Sequence, residues 1–424
     1  MPANYPNYLA VDVDWSRFCP PGLLPENLGS LVDIEITADR ISQVVPHQEL
    51  PSYDWEGGIV LPCFVDCHTH LDKAHTWERA PNPDGTFWGA IAALDRDRVN
   101  WNRADLTNRM DFALQCSYHH GTRAIRTHLD VPPGQLEITT GVFRQLRQEW
   151  HDRVELQAVS LISLDLFMGS YGELVADTFA AMDGILGGVA YPNPDLEAQL
   201  DRVFDLAQER HLALDFHVDE TDDPKSECLR AVAEQVLKRQ FPYPVTCGHC
   251  CSLATQEPGV AQTTIELVKA AGIHLVSLPL CNLYLQDRAP GRTPRWRGVT
   301  LLNEIQAAGI PIAIAHDNCR DAFYAFGDHD LLQIFATAVL IGHLDQNYPQ
   351  WLASITTIPA QIMGLKPVKI TVGDKADLIL FNSQTYSELL SRPQTDRIVI
   401  RNGRPIGTKL PSYRQLGERV CYAK

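Results

Sequence analysis

Short runs of apolar, β-branched residues alternate along most of the chain with longer stretches whose apolar positions recur every three or four residues. The runs at 59–66, 123–129, 154–162, 185–191, 212–217, 245–248, 273–280 and 312–316 each read as a strand. The stretches between them carry helical spacing, as in Leu196, Leu200, Val203, Phe204 and Ala207, or Ile265, Val268 and Ala271. The strands are apolar almost throughout, as burial on both faces demands. Strands that alternate with helices pair in parallel through right-handed crossovers. Eight such units over about 250 residues predict an α/β fold of the closed (β/α)8 TIM-barrel type. A doubly wound open sheet is the competing reading, but no glycine-rich turn opens any of the helices.

The two ends break this alternation. Val32-Asp33-Ile34-Glu35-Ile36 has a period of two. In the tail, 368–371, 376–381 and 397–400 read as strands, with turns at Gly373-Asp374 and Asn402-Gly403. The pattern predicts that residues 1–61 and 366–424 pair into a small composite β-sandwich beside a barrel of 62–365.

Composition narrows the functional classes. A formal charge of −16 over 424 residues argues against nucleic-acid or anionic-membrane partners, which need clustered cations. No stretch approaches the roughly 18 consecutive apolar residues of a membrane span. The start, Met-Pro-Ala-Asn-Tyr-Pro, lacks the pattern of a signal peptide, and the 11 cysteines then read as reduced thiols in a cytoplasmic protein.

Chemistry in a barrel gathers at the C-terminal ends of the strands. There the sequence places His68, Thr69 and His70 after the first strand, and His217, Asp219 and Glu220 after the fifth. His249 follows the sixth, and His316 and Asp317 the eighth. His68 and His70 are separated by one residue, so on a strand both rings face the same side. With His217 and Asp317 they make a donor set for a divalent transition metal. Glu220, three residues past His217, can carry a proton between metal-activated water and a substrate nitrogen, and His249 can orient or polarise that water. Cys247-Gly248-His249-Cys250 spells a disulfide-isomerase tetrapeptide, but it closes a strand rather than opening a helix; Cys250, Cys251 and Cys281 read as small buried hydrophobes.

These residues resemble the amidohydrolase superfamily, and within it the cytosine deaminase branch. The resemblance is carried, in order, by Leu61-Pro62-Cys63-Phe64-Val65-Asp66-Cys67-His68-Thr69-His70-Leu71-Asp72, Arg126-Thr127-His128, His217-Val218-Asp219-Glu220 and Gly248-His249. Further on come Pro279-Leu280-Cys281-Asn282-Leu283-Tyr284-Leu285-Gln286, His316-Asp317 and Gly373-Asp374-Lys375-Ala376-Asp377-Leu378. It implies one metal ion, zinc or iron, held by His68, His70, His217 and Asp317, with Glu220, His249 and Asp317 catalytic. Superfamily members with two metals usually bridge them by a lysine after strand four, and Gly187-Gly188-Val189-Ala190-Tyr191 has none.

The departures concern the substrate. Ser163 stands where cytosine deaminases carry a glutamine, Asn318 where they carry a second aspartate, and Phe323 where they carry a tryptophan. Lys73 and Asn318 look more like the branch that strips alkylamines from substituted triazines. Lys73, Phe87, Trp88, Ser163, Asn318 and Phe323 are therefore expected to line the substrate cavity, with Phe87 and Trp88 in the loop after strand one. Lys73 either contacts substrate or pairs with a carboxylate. The expected activity is hydrolytic deamination of a cyclic amidine in a small nitrogen heterocycle, with a poor response to cytosine. The alternatives are release of an alkylamine, opening of a cyclic amide, or a metal-binding barrel without catalysis. A homo-oligomer is expected.

Overall fold

The computed structural model describes residues 8–11, 32–47 and 53–417. Eight parallel strands follow one another in chain order: Phe64–Thr69, Thr122–Asp130, Glu155–Leu161, Leu186–Ala190, Leu214–Val218, Val245–His249, His274–Ser277 and Ile312–Ile314. The first three hydrogen-bond side by side, and so do the last five. Bridges at Val159–Ile185 and Ser163–Val189 join the two groups on one side, and Thr69–Asp317 joins them on the other. The ring is closed. Its seam sets the end of the first strand against the end of the eighth, where Asp317 N donates to His68 O at 2.8 Å.

The apolar periodicity decides which face each helix buries. Leu196–Glu209 turns Leu200, Val203, Phe204, Leu206 and Ala207 inward, and Pro258–Ala271 buries Ala261, Thr264, Ile265 and Val268. The fourth strand is glycine-rich because its neighbour crowds it: a Cβ on Gly187 would sit 2.1 Å from Asp215 O.

Three expected strands are corrected. The run at 59–66 splits in two. Val60–Pro62 pairs with Leu378–Leu380 of the tail, Cys63 N donates to Asp377 O at 2.9 Å, and the barrel strand begins only at Phe64. A continuous apolar run carries no mark of which sheet each half joins. The run at 273–280 ends at Ser277 because Pro279 starts the helix Pro279–Leu285, where its missing N–H costs nothing. Residues 368–371 form a loop, tied by Thr371 and Lys366, which both donate to the Asp374 carboxylate at 2.8 Å.

Two four-stranded sheets flank the barrel. One orders Arg40–Pro46, Val32–Thr37, Tyr8–Val11 and Tyr53–Asp54; the other orders Arg404–Pro405, Ile398–Arg401, Leu378–Leu380 and Val60–Pro62. Asn402 and Gly403 take φ of 50° and 74° and make the tight turn between Ile398–Arg401 and Arg404–Pro405. The sheets are stitched by an Arg40–Lys375 bridge and by Ile41 N donating to Asp374 O at 2.9 Å. We propose that they form one domain of residues 1–61 and 366–424 beside a barrel of 62–365; residues 1–7, 12–31, 48–52 and 418–424 of that division lie outside the described ones. No helix among the described residues is long and apolar enough to cross a membrane.

Candidate active site

Closure of the ring brings His68, His70, His217 and Asp317 to one point, all buried. His68 Nε2 lies 3.2 Å from His217 Nε2, which lies 3.3 Å from His70 Nε2. Asp317 Oδ1 is 3.1 Å from His70 Nε2 and 3.7 Å from His68 Nε2. Four ligands arranged tetrahedrally about 2.0–2.1 Å from one ion would stand roughly 3.3–3.4 Å apart, so the spacing fits a shared cation. The protonation fits too. Burial and the neighbouring imidazoles push His68 and His217 well below the ordinary histidine range, leaving neutral rings. Burial pushes the Asp317 carboxyl up, but the imidazoles of His70 and His249 outweigh it and hold it at about 2. The buried Asp317 carboxylate faces only the ring of His70 and the other ligand imidazoles, a costly state for a charge that a cation would relieve.

The backbone is strained where it delivers these groups. Asp219, His249, Cys250 and Asp317 have φ of 56°, 71°, 52° and 65°, a region non-glycine residues enter when their surroundings over-determine it. Gly248 is required by close approach, since a Cβ there would meet His68 Cε1 at 2.8 Å.

Glu220 and His249 form a second group beside the cluster. Asn282, on the helix Pro279–Leu285, places its amide 3.0 Å from His249 Nδ1 and donates to Glu220 Oε1 at 3.2 Å. With Nδ1 accepting from Asn282, the neutral His249 ring carries its proton on Nε2, which has no protein partner. Burial pushes Glu220 well above the usual carboxylate range, and the nearby Asp317 charge adds to this. The same burial holds His249 down at about 4.

A cavity of about 260 Å³ opens above. His70, His217, Asp317, Glu220 and His249 line it, and so do Lys73, Phe87, Trp88, Ser163, Asn318 and Phe323. Phe87 and Trp88 differ from expectation in one respect: they form the first turn of the helix Phe87–Asp97, capped by Thr86, instead of a loop. Phe87 meets Phe323 edge-on at 6.0 Å, while Trp88 is 71% exposed and stacks with Tyr191 at 6.5 Å. Lys73 Nζ lies 3.0 Å from Asp130 and 4.9 Å above the Phe323 ring, so it both pairs with a carboxylate and borders the cavity. Ser163 already donates to Asp165, and Asn318 donates to Asp321 at 2.8 Å while accepting from the Cys281 thiol.

Some strand-end residues do other work. Asp219 accepts from Ser226 Oγ and from the backbone of Cys228 and Leu229, fixing the start of the helix Cys228–Arg239. His316 faces away from the four-ligand cluster and stacks on His329 at 5.0 Å. Four contributors escaped the sequence reading of the site: Asn282, Asp130, Tyr191 and Asp321. Asp130 and Tyr191 end strand runs, a signal that could have found them; Asp321 had none. Cys247 and Cys250 are free and buried, and burial pushes both thiols well up.

The model of the amidohydrolase family described as Amidohydro_3 matches residues 114–406. Pterin deaminase of Rhizobium rhizogenes (strain K84 / ATCC BAA-868) is 49% identical over 91% of this chain and 90% of its own length. N-isopropylammelide isopropyl amidohydrolase of Pseudomonas sp. (strain ADP) is 27% identical over 89% and 94%. Among solved structures, 5-methylcytosine deaminase from Klebsiella pneumoniae liganded with phosphonocytosine shares the fold, with a TM-score of 0.82 at 24% identity over 95% of this chain and 98% of that one. The chain belongs to the amidohydrolase family. It is a metal-dependent hydrolase of the branch that deaminates nitrogen heterocycles.

Proposed function

We propose that the substrate is a pterin, a fused two-ring heterocycle whose 2-amino group is replaced by oxygen with release of ammonia. The observation that carries this is the trio Glu220, His249 and Asn282, set beside the ligand cluster beneath an aromatic-walled cavity. The 49% identity to a pterin deaminase supports the choice of ring. His68, His70, His217 and Asp317 would hold one zinc or iron ion. Bound there, a divalent ion supplies the Lewis acidity that makes water a nucleophile near neutral pH.

The chain's own groups do the rest. Glu220 takes a proton from the attacking water and delivers it to the ring nitrogen of the amidine as oxygen bonds to the carbon. The water's second proton then passes through Glu220 to the exocyclic amine, the C–N bond breaks, the carbonyl forms and ammonia departs. His249 presents Nε2–H to the incoming oxygen, held in that orientation by Asn282. Phe87, Phe323, Tyr191 and Trp88 clasp the flat rings, and Lys73 meets a ring oxygen or nitrogen. Ser163, its proton given to Asp165, offers only an acceptor. Release of an alkylamine is the weaker reading, because Asn318, one of the two residues that suggested it, is bound to Asp321. We place the enzyme in the cytoplasm, as a homo-oligomer. Incubation with pterin should yield one equivalent of ammonia and the 2,4-dioxo product; an unchanged pterin beside a deaminated one-ring base would overturn the choice of ring.

Lys73→Met should show both duties of that side chain. Asp130 would be left buried without its cation, at a cost of about 3–5 kcal/mol, and KM for the substrate should rise. Thermal melts with steady-state kinetics check this, and an unchanged melting temperature would contradict the pairing role.

A further inference from the structure

His75, Cys319 and His329 form a second cluster that shares no residue with the first. One donor atom from each lies within 4.8 Å of the other two, and all three side chains are buried. The Nε2 atoms of His75 and His329 face each other at 3.3 Å, and neither Nδ1 has a partner. Two neutral imidazoles can share only one N–H···N bond, so both outer nitrogens stay bare in a dry interior, a costly arrangement. His75 and His329 are also held at φ of 63° and 57°, strain of the kind found where a site over-determines its backbone. The loops are already docked, with His75 N donating to Cys319 O at 3.1 Å. Burial pushes the Cys319 thiol well above the ordinary cysteine range, although the backbone N–H of His329 points at its sulfur. The cations nearby are engaged elsewhere: Arg109 with Asp105 and Arg320 with Glu78.

We propose that His75, Cys319 and His329 bind a second transition-metal ion, separate from the active site. Two imidazoles and one thiolate suit a borderline-soft ion such as zinc. Among the described residues no fourth donor joins the group, so water completes the shell. On binding, the Cys319 S–H bond gives its proton to solvent and a sulfur–metal bond takes its place. The ion ties the loop after the first strand to the loop after the eighth. Those loops carry Lys73, Asp317 and Asn318, so the clamp fixes the floor of the cavity.

Cobalt(II) exchanged into the full-length protein tests this, because only a sulfur ligand gives a near-ultraviolet thiolate-to-cobalt absorption. The wild type should hold two ions per chain and show the band. Cys319→Ser should lose the band and one ion, and His329→Gln should lose the ion. Cys281→Ser, whose sulfur lies near Asp317, should keep both. One ion per chain in the wild type, no near-ultraviolet band, or a band that disappears with Cys281→Ser would each overturn the proposal. The wild-type measurement stands even if a variant fails to fold.

Discussion

Glu220→Gln is expected to lower kcat about 10²–10⁴-fold, the usual span for general acid–base catalysis, while fold and metal content stay as they are. Glutamine keeps the size of the side chain and can still accept from Asn282, whose donation to Glu220 spans 3.2 Å. It cannot take up a proton. Loss should therefore fall on kcat, with KM little changed, because the step removed is made only in the transition state. Single-turnover and steady-state assays on the true substrate measure it. Turnover within a few-fold of wild type would mean that the proton travels by another route.

Withdrawing the metal with a chelator should abolish turnover and lower the melting temperature. The first effect follows from the loss of the Lewis acid. The second follows from the buried charge of Asp317 and the three converging imidazoles. An ion that binds only the folded state stabilises it by about 4.1 kcal/mol at a free concentration 1,000 times its Kd. Adding back one divalent ion per active site should restore turnover, and refilling every metal site should restore the melting temperature. Full activity in metal-free protein, verified by elemental analysis, would contradict the account.

The barrel was legible because eight buried strands and their intervening helices each carry a distinct period. What was not legible is where one apolar run changes sheets: Val60–Pro62 and Phe64–Thr69 read as one segment, although they belong to different layers. The ligand cluster could be read because strand-end histidines and an aspartate recur at the working rim. Asn282 was harder, since it sits on a helix and acts through other residues, holding Glu220 and His249 by hydrogen bonds rather than meeting the reaction itself. Asn318 and Ser163 could be placed at the cavity from sequence, but not their bonds to Asp321 and Asp165, which depend on side-chain direction. Those bonds leave Ser163 with only an acceptor to offer and tie the Asn318 amide to Asp321.

This site is expected to deaminate a pterin and to discriminate against cytosine. Ammonia release from both, measured side by side at steady state, tests it most directly. With pterin, kcat/KM should reach the ordinary enzymatic range of about 10⁴ M⁻¹s⁻¹ or more. With cytosine it should fall at least about 10-fold lower, the effect of roughly 1.4 kcal/mol of lost transition-state contact, since a buried polar group left unpaired costs about 1–3 kcal/mol. Cytosine turned over as well as pterin, or pterin not turned over at all, would contradict it.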